Sequence, residues 1–193
     1  MMKKRLILIL IAIAALLGAI PLASVVAASS QAAPAKKLAD IVRQSTARYK
    51  DVKVAEKAGY GLFHGCVSGP DHGAMGVHFV NGPLVGDGKL DATTPEALLY
   101  EFKNGKYTLL GVEYVVDAET WNKANNDMPP VLDGQLFTYN TAPNRYGIPA
   151  PFYALHVWAW RNNPSGMFSD WNNNVSCDQF TSDQLPAMPG MEH

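Results

Sequence analysis

The sequence predicts an α+β domain in which N-terminal helices pack on an antiparallel sheet of four or more strands. Three observations carry this. Apolar residues between Leu38 and Tyr49 recur at helical spacing. An Asn104-Gly105 pair joins two β-rich runs. A β-rich run from Phe152 to Trp160 is followed by a turn-forming Asn-Pro-Ser-Gly stretch. Helices first and strands afterwards describe an α+β chain rather than an alternating α/β one.

The first segment, residues 1–28, reads as a secretory signal. Lys3, Lys4 and Arg5 form a positive start, Leu6 to Ile20 is an unbroken apolar run, and small residues surround Ala27 and Ala28. The apolar run is ~15 residues, short of the roughly 20 that span a bilayer, so cleavage is expected and no stable membrane span would remain. No cysteine stands directly after the signal, which speaks against a lipid anchor. Residues 29–37 read as a flexible leader, 38–180 as one globular domain, and 181–193, with Pro186, Pro189 and Gly190, as a loose tail.

The 193 residues carry a formal net charge of −1. Loss of the three basic residues of the signal would bring it to about −4, which argues against nucleic acid as a partner. The expected location is periplasmic or extracellular.

Within the domain, Leu38, Ile41, Val42, Ala47 and Tyr49 mark a helical face, and Asp51 is placed to cap a second helix that Gly59 ends. A helix pair is therefore expected over roughly 36–58. Gly76 to Asn81 reads as a strand. Ala97 to Phe102 and Tyr107 to Val116 form a hairpin around Asn104-Gly105, a pair suited to a type I′ turn. Thr94-Pro-Glu-Ala97 could also start a helix. Asp117 to Asn144, rich in Asn, Pro and Asp, is either a functional loop or a holder of short elements. Phe152 to Trp160 is the clearest strand. Arg161 to Gly166 turns the chain, and Trp171 to Cys177 follows as a further extended run.

Cys66 and Cys177 are the two cysteines. In an oxidising compartment they would form a disulfide closing a loop of about 110 residues, worth up to ~4–5 kcal/mol. The alternative is a pair of thiolate ligands for a soft metal.

Side chains alternate along a strand. His156 then shares a face with Ala154, Trp158 and Trp160, and Glu113 shares one with Leu109, Gly111 and Val115. His78 is central in its own run. Two histidines and a glutamate on adjacent strands form the donor set of a facial triad for a divalent metal with open positions, suited to Zn, Cu, Fe or Mn. The competing reading pairs Glu113 with a nearby Lys or Arg and makes the histidines hydrogen-bonded core. His64 and His72, flanking Cys66 in a glycine-rich loop, could add ligands together with Met75, a copper-like set with His78. Trp158, Trp160, Trp171, Phe168 and Tyr153 read mainly as core, with stacking on a flat ligand as the alternative.

Nucleophile elbow, phosphate loop, dinucleotide fingerprint, HExxH and haem-attachment motifs do not occur. No reaction is therefore assigned, and whether the chain is an enzyme stays open.

Several segments resemble a group of exported, functionally uncharacterised bacterial proteins. They are Ala47-Arg-Tyr49-Lys-Asp51-Val with Ala55 and Gly59-Tyr60, Met75-Gly-Val-His78-Phe-Val-Asn81, Leu99-Tyr100-Glu101, and Gly111-Val-Glu113-Tyr114. The later ones are Leu155-His156-Val-Trp158, Asn163-Pro164-Ser-Gly166-Met167-Phe168, Trp171-Asn172 and Val175-Ser-Cys177. The resemblance spans roughly residues 38–178, with Asn173 where the pattern has proline. It implies an exported single domain, carries no mechanism, and places His78, Glu113 and His156 in shared segments. The readings that stand are an exported protein binding a divalent metal, a non-enzymatic module of the envelope that binds a small molecule or a protein, and a purely structural envelope protein.

Overall fold

The computed structural model describes residues 23–181 apart from 70 and 145. Most of the signal segment and the tail beyond residue 181 lie outside the described residues. Helix α1 (Ala23–Thr46) runs into a 3-10 turn over Ala47–Lys50, and α2 (Val52–Lys57) follows. Residues 29–37, expected as a leader, are continuous with α1, with Pro34 inside the helix; alanine, the strongest helix former, holds three of the nine positions. Asp51 caps α2 by accepting from the Lys53 backbone N–H, and Gly59 ends it at φ +94°.

The strands are β1 (Gly61–Gly69), β2 (Gly73–Val80), β3 (Ala97–Lys103), β4 (Lys106–Asp117), β5 (Val131–Leu132), β6 (Gln135–Leu136), β7 (Thr138–Asn140) and β8 (Phe152–Val157). Short helices α3 (Gly82–Val85) and α4 (Ala118–Asn125) sit between them. Six strands form one sheet in the order β1-β2-β3-β4-β8-β7, and all neighbours are antiparallel. β5 and β6 pair as a separate small hairpin.

Asn104 (φ +52°) and Gly105 (φ +72°) turn β3 into β4 as the Asn-Gly pair predicts. Thr94-Pro-Glu-Ala leads into β3 and starts no helix. The long segment after Asp117 holds α4, the β5–β6 hairpin and β7, which are too short to leave a period in the sequence. The predicted strand to Trp160 stops at Val157, because the Trp158 N–H turns away to donate to the Met167 carbonyl. The run 171–177 is not a strand. Asn172 makes one bridge to Ala74 and then accepts from the Asn174 N–H through its side chain, so the asparagines turn the chain.

One sheet face packs on the helices. Val77, Phe79, Leu98, Tyr100, Val112, Tyr114, Leu155 and Val157 meet Leu38, Val42, Tyr49 and Ala55. The buried tyrosines latch the layers through their hydroxyls: Tyr100 donates to the Tyr49 carbonyl at 2.6 Å and Tyr60 to the Pro95 carbonyl at 2.7 Å. Arg43 of α1 donates to the Ala159 carbonyl at 2.7 Å, tying the helix to the chain beyond β8. The Cys66–Cys177 disulfide, Cα–Cα 5.6 Å, fastens β1 to the C-terminal segment.

Glu96, at the entry to β3, is 2% exposed and accepts from the Val115 N–H at 3.0 Å. Burial pushes its carboxyl from 4.5 up to about 8. The folded state therefore holds a proton that the unfolded chain releases across pH 4.5–8, and stability falls as pH rises through that window. We expect urea titrations to show a slope approaching about 1.4 kcal/mol per pH unit, and the Glu96→Gln variant to lose most of it.

Candidate metal centre

The second face of the sheet carries the cluster. Val80, Glu113, Val115, Ala154 and His156 alternate with the helix-facing residues and line a cavity with His78. Alternation alone does not produce this arrangement; three irregularities do. Gly76, at φ +90°, accompanies an extra residue in β2, so Met75 and His78 both line the cavity although three positions separate them. A Cβ at Gly76 would stand 2.6 Å from the Tyr100 carbonyl oxygen, so glycine is required there. In β4, Leu110 is extra opposite Leu99 and Tyr100. Leu109 therefore joins the helix-side core, and the face predicted for it with Glu113 belongs to Gly111, Glu113 and Val115. In β1, His64 and Gly65 fall in the bulge between Phe63 and Cys66.

Glu113 and His156 stand opposite each other on neighbouring strands. His78 does not come from an adjacent strand, as predicted, because β3 lies between β2 and β4. Its imidazole reaches Glu113 across β3, where Glu113 is paired with the small Ala97. His78 Nε2 lies 3.5 Å from Glu113 Oε2, and His156 Nε2 lies 3.8 Å from Glu113 Oε1. The two rings stand nearly perpendicular, 89° apart. One donor atom from each of the three residues falls within 4.8 Å of the others, and all three residues are buried.

These separations exceed the 2.7–3.2 Å of a formed hydrogen bond. Among the described residues His156 Nε2 has no hydrogen-bond partner. Donors about 2.0–2.1 Å from a tetrahedral ion stand roughly 3.3 Å apart; the two carboxylate–imidazole separations, 3.5 and 3.8 Å, are somewhat longer. Among the described residues no lysine or arginine forms an ion pair with Glu113; its recorded ion-pair contacts are the two histidines. That removes the support for the Lys or Arg pairing considered from the sequence.

Burial raises the Glu113 carboxyl above its usual range, His156 opposes this, and Asp170 adds to it. Burial works against the His156 imidazolium, but Glu113 and Asp170 outweigh it and leave His156 raised. The His156 contact holds the Asp170 carboxyl below its ordinary value. Asp170 is the residue that sequence reading missed. Its Oδ1 lies 3.3 Å from His156 Nδ1, off the best hydrogen-bond alignment, so charge holds the pair more than direction does. It sits in an irregular segment with no period to expose it, and its position beside Trp171-Asn172 was the one available signal.

Met75 is buried and lines the same cavity, whereas His72 is exposed in the turn between β1 and β2 and is not in the cluster. The His64 side chain lies outside the described residues. Cys66 and Cys177 are joined to each other and are not thiolate ligands. Trp158 is core, as expected for a large aromatic.

Two imidazoles and one carboxylate on one face leave coordination positions toward the cavity. Such a set can hold an ion that polarises a bound oxygen or acidifies a bound water. The chain matches no family model, no curated protein and no solved structure.

The Asp170 contact predicts one tautomer of neutral His156, with the proton on Nδ1 and the Nε2 lone pair turned to the cluster. Nitrogen-15 NMR on the metal-free protein, above the pH at which His156 loses its proton, should show this form, and Asp170→Asn should give a mixture of tautomers with the fold retained. An Nε2–H tautomer in the parent protein would refute the assignment.

Proposed function

We propose that this chain is an exported protein that binds one divalent metal ion through His78, Glu113 and His156. The observation that carries the reading is the donor set: three buried groups whose ligand atoms lie within 4.8 Å of one another, with, among the described residues, no hydrogen bond on His156 Nε2. Burying a carboxylate on an apolar sheet face is unfavourable without a fixed cation, and a divalent ion would supply one. Imidazole and carboxylate ligands suit Zn²⁺, with Cu²⁺, Fe²⁺ and Mn²⁺ as the other first-row choices. Asp170, behind His156, would hold the ring in the ligating orientation, as outer partners of metal-bound histidines do.

Export is supported by the charge and apolar pattern of residues 1–28 and by the Cys66–Cys177 disulfide, a bond that persists in oxidising compartments. No helix among the described residues is long and apolar enough to cross a membrane. The proposed partner is a small molecule reaching the open face of the ion.

The mature protein, purified without affinity tag or chelator, should carry about one equivalent of metal by plasma mass spectrometry. Glu113→Gln and His156→Ala should each reduce this below roughly a tenth. Metal-free Glu113→Gln should melt at or above the parent temperature, because it removes a buried carboxyl that has no fixed cation. No metal in the parent protein, and none taken up on titration, would end the proposal.

A further inference from the structure

The cavity above the cluster has a chemistry of its own. Its volume is about 550 Å³, within the range of small-molecule pockets. Phe63, Val67, Val80, Val85, Ile148 and Phe152 give it apolar walls on several sides. They come from β1, β2, α3, the segment before β8, and β8 itself. Ionisable groups are concentrated at the sheet end, where His78, Glu113, His156 and Asp170 lie. Asp117 also borders the cavity, but its carboxylate accepts from the Thr120 N–H and is committed to capping α4.

The space is therefore mainly apolar, with its histidine and glutamate groups gathered in one cluster; Asn140 and Tyr146 also line it. A divalent ion held by two neutral imidazoles and one carboxylate keeps one net positive charge with those three ligands; the Asp170 carboxylate, also on the cavity, stands off the far Nδ1 side of His156, and Asp117 caps α4. In a site walled by apolar side chains that charge favours an anionic oxygen over a neutral one.

We propose that the cavity binds a small apolar monocarboxylate, its carboxylate on the metal and its hydrocarbon body among Phe63, Val80, Val85 and Phe152. This rests on the metal reading above. It names the ligand class, which the donor set alone does not. Binding forms a coordination bond and displaces water; no covalent bond is made or broken.

The test is calorimetric titration of the Zn²⁺-loaded, disulfide-intact protein with butanoate, hexanoate and octanoate, and with octan-1-ol as the uncharged control. Affinity should rise by up to about fourfold per methylene, and octan-1-ol and the metal-free protein should each give at least tenfold weaker binding. Val85→Trp on α3 and Ala150→Trp before β8 place bulk in the cavity away from the ligating strands. At least one should retain a full equivalent of Zn²⁺ and lose octanoate.

Equal affinity for octanoate and octan-1-ol, or affinity independent of chain length, would overturn the carboxylate assignment. Octanoate binding unchanged in both tryptophan variants would overturn the cavity assignment. A protein that takes up Zn²⁺ and binds no carboxylate refutes this inference alone, whereas a protein that takes up no Zn²⁺ refutes the metal reading beneath it.

Discussion

The arrangement on the open face of the sheet depends on one unfavourable burial, the Glu113 carboxyl. It sits 8% exposed in the middle of β4, between apolar neighbours on its own strand and opposite His156 on the next. Burying a carboxyl that, among the described residues, pairs with no lysine or arginine raises its pKa and penalises its charge. The surroundings answer with nitrogen donors. His156 comes from β8, His78 reaches over β3 from β2, and Asp170 stands behind His156. The three side chains offer one ligand atom each within 4.8 Å of one another, so the group could hold a cation.

The sheet's departures from regularity make that possible. A perfect β2 would place Met75 and His78 on opposite faces, and the extra residue beside Gly76 brings both to the cavity. A perfect β4 would place Leu109 under Glu113, and the extra Leu110 sends Leu109 to the helix side instead. Leu110 then packs with Leu99, Trp158 and Val175 in a separate small cluster, and its carbonyl accepts from the Trp160 and Arg161 N–H groups. Bulges near functional residues re-aim side chains in this way. Gly111 contributes by close approach: a Cβ there would meet the Val157 carbonyl oxygen at 2.3 Å, so the β4–β8 contact that aligns Glu113 with His156 needs a bare backbone next to it.

Much of this was legible in the residues because it follows from local chemistry. The Asn104-Gly105 turn, the Asp51 cap and the central places of His78, Glu113 and His156 in β-rich runs each depend on a few neighbouring residues. What was hidden depends on pairing across the chain. β1 escaped notice because Gly61, Gly65 and Gly69 mimic a loop, although Gly65 belongs to a bulge within a strand. That β3 separates His78 from Glu113 is a fact of strand order, which no spacing in the sequence encodes. Asp170 was invisible for the same reason: it meets His156 through the return of an irregular segment and not through any repeat. The cavity could not be read at all, since its walls come from five separate stretches of the chain.

The central claim is that His78, Glu113 and His156 share one ion, and X-ray absorption at the metal edge of the Zn²⁺-loaded protein tests it most directly. The account predicts a shell of four or five nitrogen and oxygen neighbours near 2.0–2.2 Å, with the outer-shell scattering of two imidazoles and none from sulfur. A shell of oxygens alone, or one containing a single imidazole or a sulfur ligand, would contradict it.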